Sequence, residues 1–480
     1  MRKFSPDHCE SREFNSGLRL RPARIQSVAC HLPEAAPDRA ITTIAIICVA
    51  LHRCPTSTIS INCALAPPEA RPVDSMEATG KPSAPMGNIL SSMAAQADLA
   101  QENKELSMNL PIVDVDVFRN NPRDSPEVLA ECKKAAQALI TYGALIVHDS
   151  RVSEDDNTTF LDLLEDYFAQ SEEDLKKDER PELGYQIGVT LENTEKPKCA
   201  VDEPCLQVIE RLAPSERPLD IKAHAPDPKC RFFWRMVENP PYKTEFPGLN
   251  APNIVPDAPK IHDRWAPVMN EWGVTLRNAV SDVAGMAAVG LGLPAEAFME
   301  AGKYGPHLLA PTASNLDRYG KKDSILAGFH TDLNFLTIHG RSRYPGLHIW
   351  ARNTGKRIPV SIPPGNHLLV QAGKQIEHLT GGLIKAGYHE VVVNDATLKV
   401  VERRKKELPD RPLVRISSTF FYHLSSDYLL SPNEILAEQA RQIRANQFQL
   451  GRDEGEEVEY PPMKVGQQVQ NELKHIALMA

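Results

Sequence analysis

The chain has 480 residues, 42% hydrophobic and 24% charged, a globular balance that excludes a disordered, collagen-like or polytopic membrane protein. Its 54 basic and 63 acidic residues leave a net charge of -9, which provides no cationic footprint for a nucleic-acid backbone and makes small molecules the natural partners. The nine cysteines include no CxxC pair and none lies beyond Cys230, so they form neither a disulfide framework nor a zinc ribbon and point to a reducing, cytoplasmic setting.

Residues 1–105 lack a sustained period of 2 or 3.6, carry a Pro-rich patch at Ala66-Pro67-Pro68, and read as a poorly ordered extension. Either residues 1–75 are an arginine-rich organelle-targeting leader, or the reading frame is over-long and starts at Met76 or Met86. The apolar run at 41–51 is about half of what a bilayer-spanning helix needs.

Order begins at residues 110–117, a short period-2 run that predicts a strand. Val128, Leu129, Cys132, Ala135, Ala136, Leu139 and Ile140 then recur at three- and four-residue steps, predicting an amphipathic helix that Tyr142-Gly143 ends before the apolar strand at 144–147. A further helix carries Phe160, Leu163, Leu164, Tyr167 and Phe168 on one side and carboxylates on the other. Prolines between about 181 and 260 predict mostly loop. Trp265, Val268, Met269, Trp272, Leu276, Val280 and Val283 mark the buried stripe of a long helix closed by Gly290, Gly292 and Pro294.

From about 305 to 430, short β-rich runs are separated by Gly and Pro, at 328–338, 347–351, 357–362, 367–371, 389–394 and 414–422, which suggests a sandwich or barrel. The domain organisation expected is therefore the extension at 1–105, an amino-terminal subdomain with its support helix at 106–300, a β core at 301–430 and a helical tail at 431–480.

On a strand His330 and Asp332 project from one face while Thr331, Leu333 and Phe335 point the other way, so His330-Thr331-Asp332 aligns two metal ligands. A two-histidine, one-carboxylate triad needs a second histidine from another strand and leaves positions open on iron for co-substrate and dioxygen. Of the two candidates downstream, His378 precedes the turn Gly381-Gly382, whereas His389 opens the β-branched strand beyond it, and His389 is the better partner. His378, His339, His348, His367 and His423 read as hydrogen-bonded structural residues. Arg415 and Ser417 also share one strand face, the natural clamp for the distal carboxyl group of a dicarboxylate, with a surface salt bridge as the plain alternative.

The order His-x-Asp, glycine block (Gly373-Lys374-Gln375 to Thr380-Gly381-Gly382), His, Arg-x-Ser resembles the iron(II)- and 2-oxoglutarate-dependent dioxygenases of the isopenicillin N synthase-like group, over about residues 110–430. Leu110-Pro111-Ile112-Val113-Asp114 is similar to that family's opening strand, and Tyr142-Gly143-Ala144-Leu145-Ile146-Val147 to its Gly-Phe-Phe-x-Val segment. The resemblance implies a mainly β fold, a double-stranded β-helix (jelly roll) core with an α/β amino-terminal subdomain. It implies Fe(II) held by His330, Asp332 and His389, and 2-oxoglutarate held through its far carboxylate by Arg415 and Ser417. With dioxygen as the third reactant, succinate and CO2 would be released and a small organic substrate oxidised, by default hydroxylated, with desaturation or ring closure as other outcomes. Pocket walls from the amino-terminal part, from the strands around Phe335 and Trp350 and from the last helix near Leu473 and Ile476, with an apolar lining, fit a small organic molecule better than a peptide.

Two departures stand out. The family's Asn-x-Tyr, whose tyrosine helps hold 2-oxoglutarate, has no match in Leu309-Ala310-Pro311-Thr312-Ala313-Ser314-Asn315, with Tyr319 following later. Glu390 stands where arginine normally follows the distal histidine, and a Lys- and Arg-rich stretch at 397–411 predicts a solvated helical insertion. Two other readings remain: an iron oxygenase of the same fold that does not use 2-oxoglutarate, and a non-catalytic jelly-roll binding protein. A zinc hydrolase fits less well because the chain has no HExxH.

Overall fold

The computed structural model describes residues 110–195, 199, 202–219, 226–237, 239–443 and 459–475. The expected extension at 1–105 with its apolar run, and Ile476, lie outside the described residues. Strand β1 (Ile112–Asp114) is shorter than the period-2 run predicts, because the Asp114 carboxylate accepts the Asp116 N–H and opens a short helix at Val115. Its parallel neighbour β2 (Ala144–His148) is reached through helix α1 (Pro126–Tyr142), the kind of crossover a parallel pair requires. Ser125 caps α1, and Gly143 ends it at φ +68°, where an added Cβ would stand 3.1 Å from the Gly387 Cα.

Helix α2 (Glu154–Phe168) follows, and the Pro-rich stretch holds only short elements, among them β3 (Gly188–Thr190) and β4 (Cys230–Arg235). Helix α3 (His262–Gly290) buries the predicted stripe except Val268, which is only partly buried, and its Trp272 Nε1 donates to Ser418 Oγ at 2.7 Å. Burying each large apolar side chain of such a stripe stabilises the fold by roughly 1.5–3 kcal/mol, so the aromatic residues on α3 are core rather than a cofactor surface.

The β-rich region forms β5 (Leu308–Leu309), β6 (Thr312–Asn315), β7 (Ile325–Thr331), β8 (Leu336–Gly340), β9 (Leu347–Trp350), β10 (Arg357–Pro359), β11 (His367–Ala372), β12 (Tyr388–Val392) and β13 (Val414–Tyr422). The run expected as one strand at 328–338 is two, β7 and β8, which belong to different sheets. A nine-stranded sheet has the order β1-β2-β11-β8-β13-β5-β4-β3, with β6 beside β13 and β4; a four-stranded sheet has the order β10-β9-β12-β7. This is the jelly roll expected, with β1 to β4 extending the larger sheet at both edges so that it runs across residue 300. At one end Ile146 and Leu369 of the larger sheet pack on Ile349 and Ile358 of the smaller. Elsewhere the space between the sheets is left as a cavity.

The Lys- and Arg-rich insertion is helical, as its composition predicts, over α4 (Asp395–Glu407), and Asn394 with Thr397 forms its capping box. It is not simply solvated: Arg404 is buried against Glu165 of α2, and Arg411 reaches the same carboxylate. The chain then makes β14 (Leu429–Leu430), a helix over Glu434–Ile443, β15 (Met463–Lys464) paired with β14, and helix α5 (Val465–His475).

Cysteine spacing suggests no disulfide, yet Cys199 and Cys205 are bonded, with Cα atoms 5.2 Å apart, and pack among Val208, Phe329 and Trp350. No helix among the described residues is long and apolar enough to cross a membrane.

Candidate active site

Antiparallel pairing of β7 and β12 sets His330 opposite His389 in register, and their rings lie 4.2 Å apart between centroids. Asp332 sits just past the end of β7, where the chain turns toward β8, so the simple alternation expected there breaks down: Thr331 and Leu333 also line the cavity. The Asp332 Oδ1 atom lies 3.8 Å from each of the two Nε2 atoms. One ligand atom from each of the three residues lies within 4.8 Å of the others.

The surroundings prepare these atoms for a metal. His330 Nδ1 faces the Gly328 carbonyl at 2.6 Å and His389 Nδ1 the Gly387 carbonyl at 3.4 Å. A proton held on each Nδ1 leaves both Nε2 lone pairs facing Asp332. Thr337 Oγ1 donates to Asp332 Oδ2 at 2.7 Å, which orients the carboxylate. Burial, reinforced by His389, pushes the His330 imidazole down to about 4, so it is neutral near pH 7. Burial works to raise the Asp332 carboxyl, but His389 and His330 hold it below its ordinary range, so it is ionised. Two imidazoles and one carboxylate on one side of a cavity fit iron(II) with positions left open.

The glycine block has a steric reason. A Cβ on Gly373 would collide with the Asn334 carbonyl oxygen, so only glycine lets the helix Lys374–Leu379 start against the Asp332 backbone, whose oxygen accepts the Lys374 N–H at 2.9 Å. That helix carries His378 away from the triad, against Tyr460. Glu390, in the position after His389, is buried and pairs with Arg357.

Across the cavity, β13 pairs with β6 so that Arg415 stands beside Ser314 and Ser417 beside Thr312, and all four line the space. Burial pushes the Arg415 guanidinium down to about 10, still cationic at neutral pH. Its Nε donates to the Pro345 carbonyl at 3.4 Å, and among the described residues no carboxylate comes within ion-pair range of it. Tyr319 packs with the cluster around Leu316 and Leu326 and does not line the cavity; hydroxyls from Thr312 and Ser314 lie in the same wall, beside Ser417 and Arg415.

The cavity measures about 200 Å³. Its apolar wall is built by Phe233, Leu308, Phe421 and, from α5, Val469 and Leu473. Leu473 is thus where the sequence reading puts it, whereas Phe335 and Trp350 point into packed cores. A charged wall escapes the sequence reading altogether: Glu195, Asp227, Lys229 and Arg231. Lys229 Nζ lies 2.8 Å from Asp227 and 3.3 Å from Glu195, and Arg231 pairs with Glu195. Alternating Lys229, Arg231 and Phe233 was the available signal, a period-2 row running into a strand. His339 and His423 also line the cavity but are buried and hydrogen-bonded, to Thr419 and Gln375 respectively. A second metal-like group, Asp114, Asp116 and His148, lies on the edge strands away from the cavity, and Ser150 and Arg119 already satisfy Asp116.

Residues 300–424 match the model of the 2OG-Fe(II) oxygenase superfamily. A peptide transporter named imqJ from Aspergillus flavus is 30% identical over 125 residues, 25% of this chain and 23% of that protein. Gibberellin 3-beta-dioxygenase 2-1 of Triticum aestivum is 26% identical over 198 residues, 39% of this chain and 53% of that protein. The chain therefore spans about a quarter and about half of the length of these curated relatives. Among solved structures, a 2OG-Fe(II) oxygenase family protein from Caulobacter crescentus superposes with TM-score 0.55 at 18% identity, over 76% of this chain and 99% of that one. A full-length Neurospora crassa protein in complex with alpha-KG superposes equally well, with TM-score 0.55 at 17% identity, over 76% of this chain and 96% of that one.

Proposed function

Residues 300–424 are a 2OG-Fe(II) oxygenase domain, and from that premise we propose that the chain is a non-haem iron(II)- and 2-oxoglutarate-dependent dioxygenase that oxidises, by default hydroxylates, a small organic substrate. The observation that carries this reading is one cavity with two complementary ends, the His330, Asp332 and His389 donor set facing an unmatched buried cation, Arg415. His330, Asp332 and His389 would hold the metal, which supplies the oxygen-activating redox chemistry when bound. Arg415, with Ser417 and the hydroxyls of Thr312 and Ser314 beside it, would take the far carboxylate of 2-oxoglutarate through charge-assisted hydrogen bonds. Thr337 keeps Asp332 turned toward the two imidazoles, and the carbonyls of Gly328 and Gly387 fix their tautomers. Phe233, Leu308, Phe421 and Leu473 exclude water from the substrate's side.

The test is anaerobic loading with Fe(II) and 2-oxoglutarate, followed by the metal-to-ligand charge-transfer absorbance and, on admitting oxygen, succinate release. Arg415→Met should weaken 2-oxoglutarate by about 10- to 100-fold at unchanged iron content. No absorbance and no succinate from iron-loaded protein would sink the reading. Indifference to Arg415→Met would favour an iron oxygenase that does without 2-oxoglutarate.

A further inference from the structure

We infer that the part of the substrate buried beside the iron site is uncharged and offers both a hydrogen-bond acceptor and a donor, as an amide, lactam or imide does. This rests on the function proposed above. Among the described residues and apart from histidines, three cations line the cavity: Lys229, Arg231 and Arg415. Arg415 has no carboxylate partner among the described residues and is taken by the co-substrate. The other two are already matched: Lys229 lies between Asp227 at 2.8 Å and Glu195 at 3.3 Å, and Arg231 pairs with Glu195. Two cations and two carboxylates make a wall with no net charge; the cavity's further carboxylate outside the metal triad, Glu472, lies on α5 with Val469 and Leu473 rather than in this wall. Its side chains are only 12%, 13%, 9% and 5% exposed for Lys229, Arg231, Glu195 and Asp227, so water screens them little.

Such a wall selects by charge. A substrate carboxylate set against it must displace Glu195 or Asp227 or stand uncompensated beside them, and a substrate cation meets the mirror image of that problem with Lys229 and Arg231. An uncharged group that accepts from the Lys229 or Arg231 N–H groups and donates to a carboxylate oxygen leaves every ion pair intact. Asp227 is also held in place, since its Oδ1 accepts the Gly328 N–H at 3.1 Å, two residues before His330. The apolar wall of Phe233, Leu308, Phe421 and Leu473 then receives the ring or chain that carries the group.

Benzamide, benzoate and benzamidine have one shape and charges of zero, minus one and plus one, so they test the wall directly. The full chain is loaded with Mn(II) and N-oxalylglycine, a non-reacting 2-oxoglutarate analogue that fills the Arg415 end. Binding beside the metal is read as paramagnetic broadening of the probe's proton resonances. Benzamide should bind at least about tenfold more tightly than either ion. Glu195→Gln leaves the wall positive and should raise benzoate to or above benzamide; Lys229→Met leaves it negative and should do the same for benzamidine. Opposite shifts in two variants cannot come from general loosening of the fold. An ion that matches benzamide on the unaltered protein, an order unmoved in both variants, or no broadening by any of the three would overturn the inference. N-oxalylglycine binding and its loss in Arg415→Met are followed separately. If they fail while the charge order holds, only the parent function falls; if they hold while the order fails, only this inference does.

Discussion

Two buried sets of charges differ in how they are balanced. At the junction of α2 with the insertion, Glu165 is fully buried and receives Arg343 at 2.8 Å, Arg404 at 3.0 Å and Arg411 at 2.8 Å, while Arg411 also reaches Asp166 at 2.7 Å. That cluster ties together three stretches distant in sequence and lines no part of the cavity. At the cavity, Arg415 is also buried but, among the described residues, has no carboxylate beside it. Burial alone therefore does not mark a binding residue. The closed set away from the cavity is a joint in the scaffold, whereas an unmatched cation on the cavity wall is free to take a ligand.

The largest expected effect breaks the open side. Asp332→Ala removes the carboxylate between the two imidazoles. Iron content and succinate formation should fall by more than about 100-fold, beyond the scale seen when even an outer partner of a metal ligand is lost. Folding should be unimpaired, because no buried cation is left without its partner. A variant that kept stoichiometric iron would return the triad to a structural role and would give weight to Asp114, Asp116 and His148 as the metal's actual site.

The same kind of substitution on the closed side should have the opposite profile. Glu165→Gln leaves three guanidinium groups without their shared counter-charge and should cost about 3–5 kcal/mol in a urea unfolding titration. Turnover per folded, iron-loaded molecule should be unchanged. If turnover fell in step with iron affinity while the unfolding midpoint held, the distinction between joint and site would be wrong.

How much of this contrast was legible in the sequence depends on how far apart the partners lie. His330 and Asp332 are two residues apart and His389 opens a β-branched run, so local alternation and turn chemistry were enough to select the triad and to set His378 aside. The β-rich texture announced a sandwich or barrel, which the family resemblance narrowed to a jelly roll, although neither could show that β7 and β8 part into different sheets at Asp332. The Glu165 cluster joins residues more than 230 positions apart, and the insertion looked solvated because its pattern carries no mark of what α2 brings to it. The wall of Glu195, Asp227, Lys229 and Arg231 fell in a Pro-rich stretch with little periodicity, and only the short row Lys229, Arg231, Phe233 hinted at it. The Cys199–Cys205 bond spans six positions, a spacing with no motif value of its own.

Acid should sharpen the comparison from a third side, because the cavity end also buries imidazoles. Burial pushes His423 down to about 3, and His339 as well. Between the ordinary value of 6.5 and about 3, the unfolded chain holds protons on these rings that the native protein leaves off. Stability therefore rises with pH through that window and is lost on acidification, by about 1.4 kcal/mol per pH unit for each ring, and the contribution is complete above it. Urea midpoints compared at neutral pH and at about pH 5 should show the unaltered protein losing about 2 kcal/mol more than a His423→Asn variant. Equal losses in both proteins would remove His423 from the account.

The smallest expected effect isolates orientation from ligation. Thr337 does not touch the metal position; it donates to Asp332 Oδ2 at 2.7 Å and is fully buried, so Thr337→Val keeps the volume and removes that hydrogen bond, together with the same hydroxyl's 3.1 Å contact with Asn334 Oδ1. Without it the carboxylate is free to turn away from the imidazoles, and metal affinity should weaken by about tenfold, the lower end for loss of an outer partner. Because Arg415 is unaffected, 2-oxoglutarate affinity at saturating iron should be that of the unaltered protein. The separation of those two constants is what a positioning role predicts. A parallel loss of both would mean that Thr337 supports the cavity as a whole, and no loss of either would mean that the β7–β8 turn alone holds Asp332 in place.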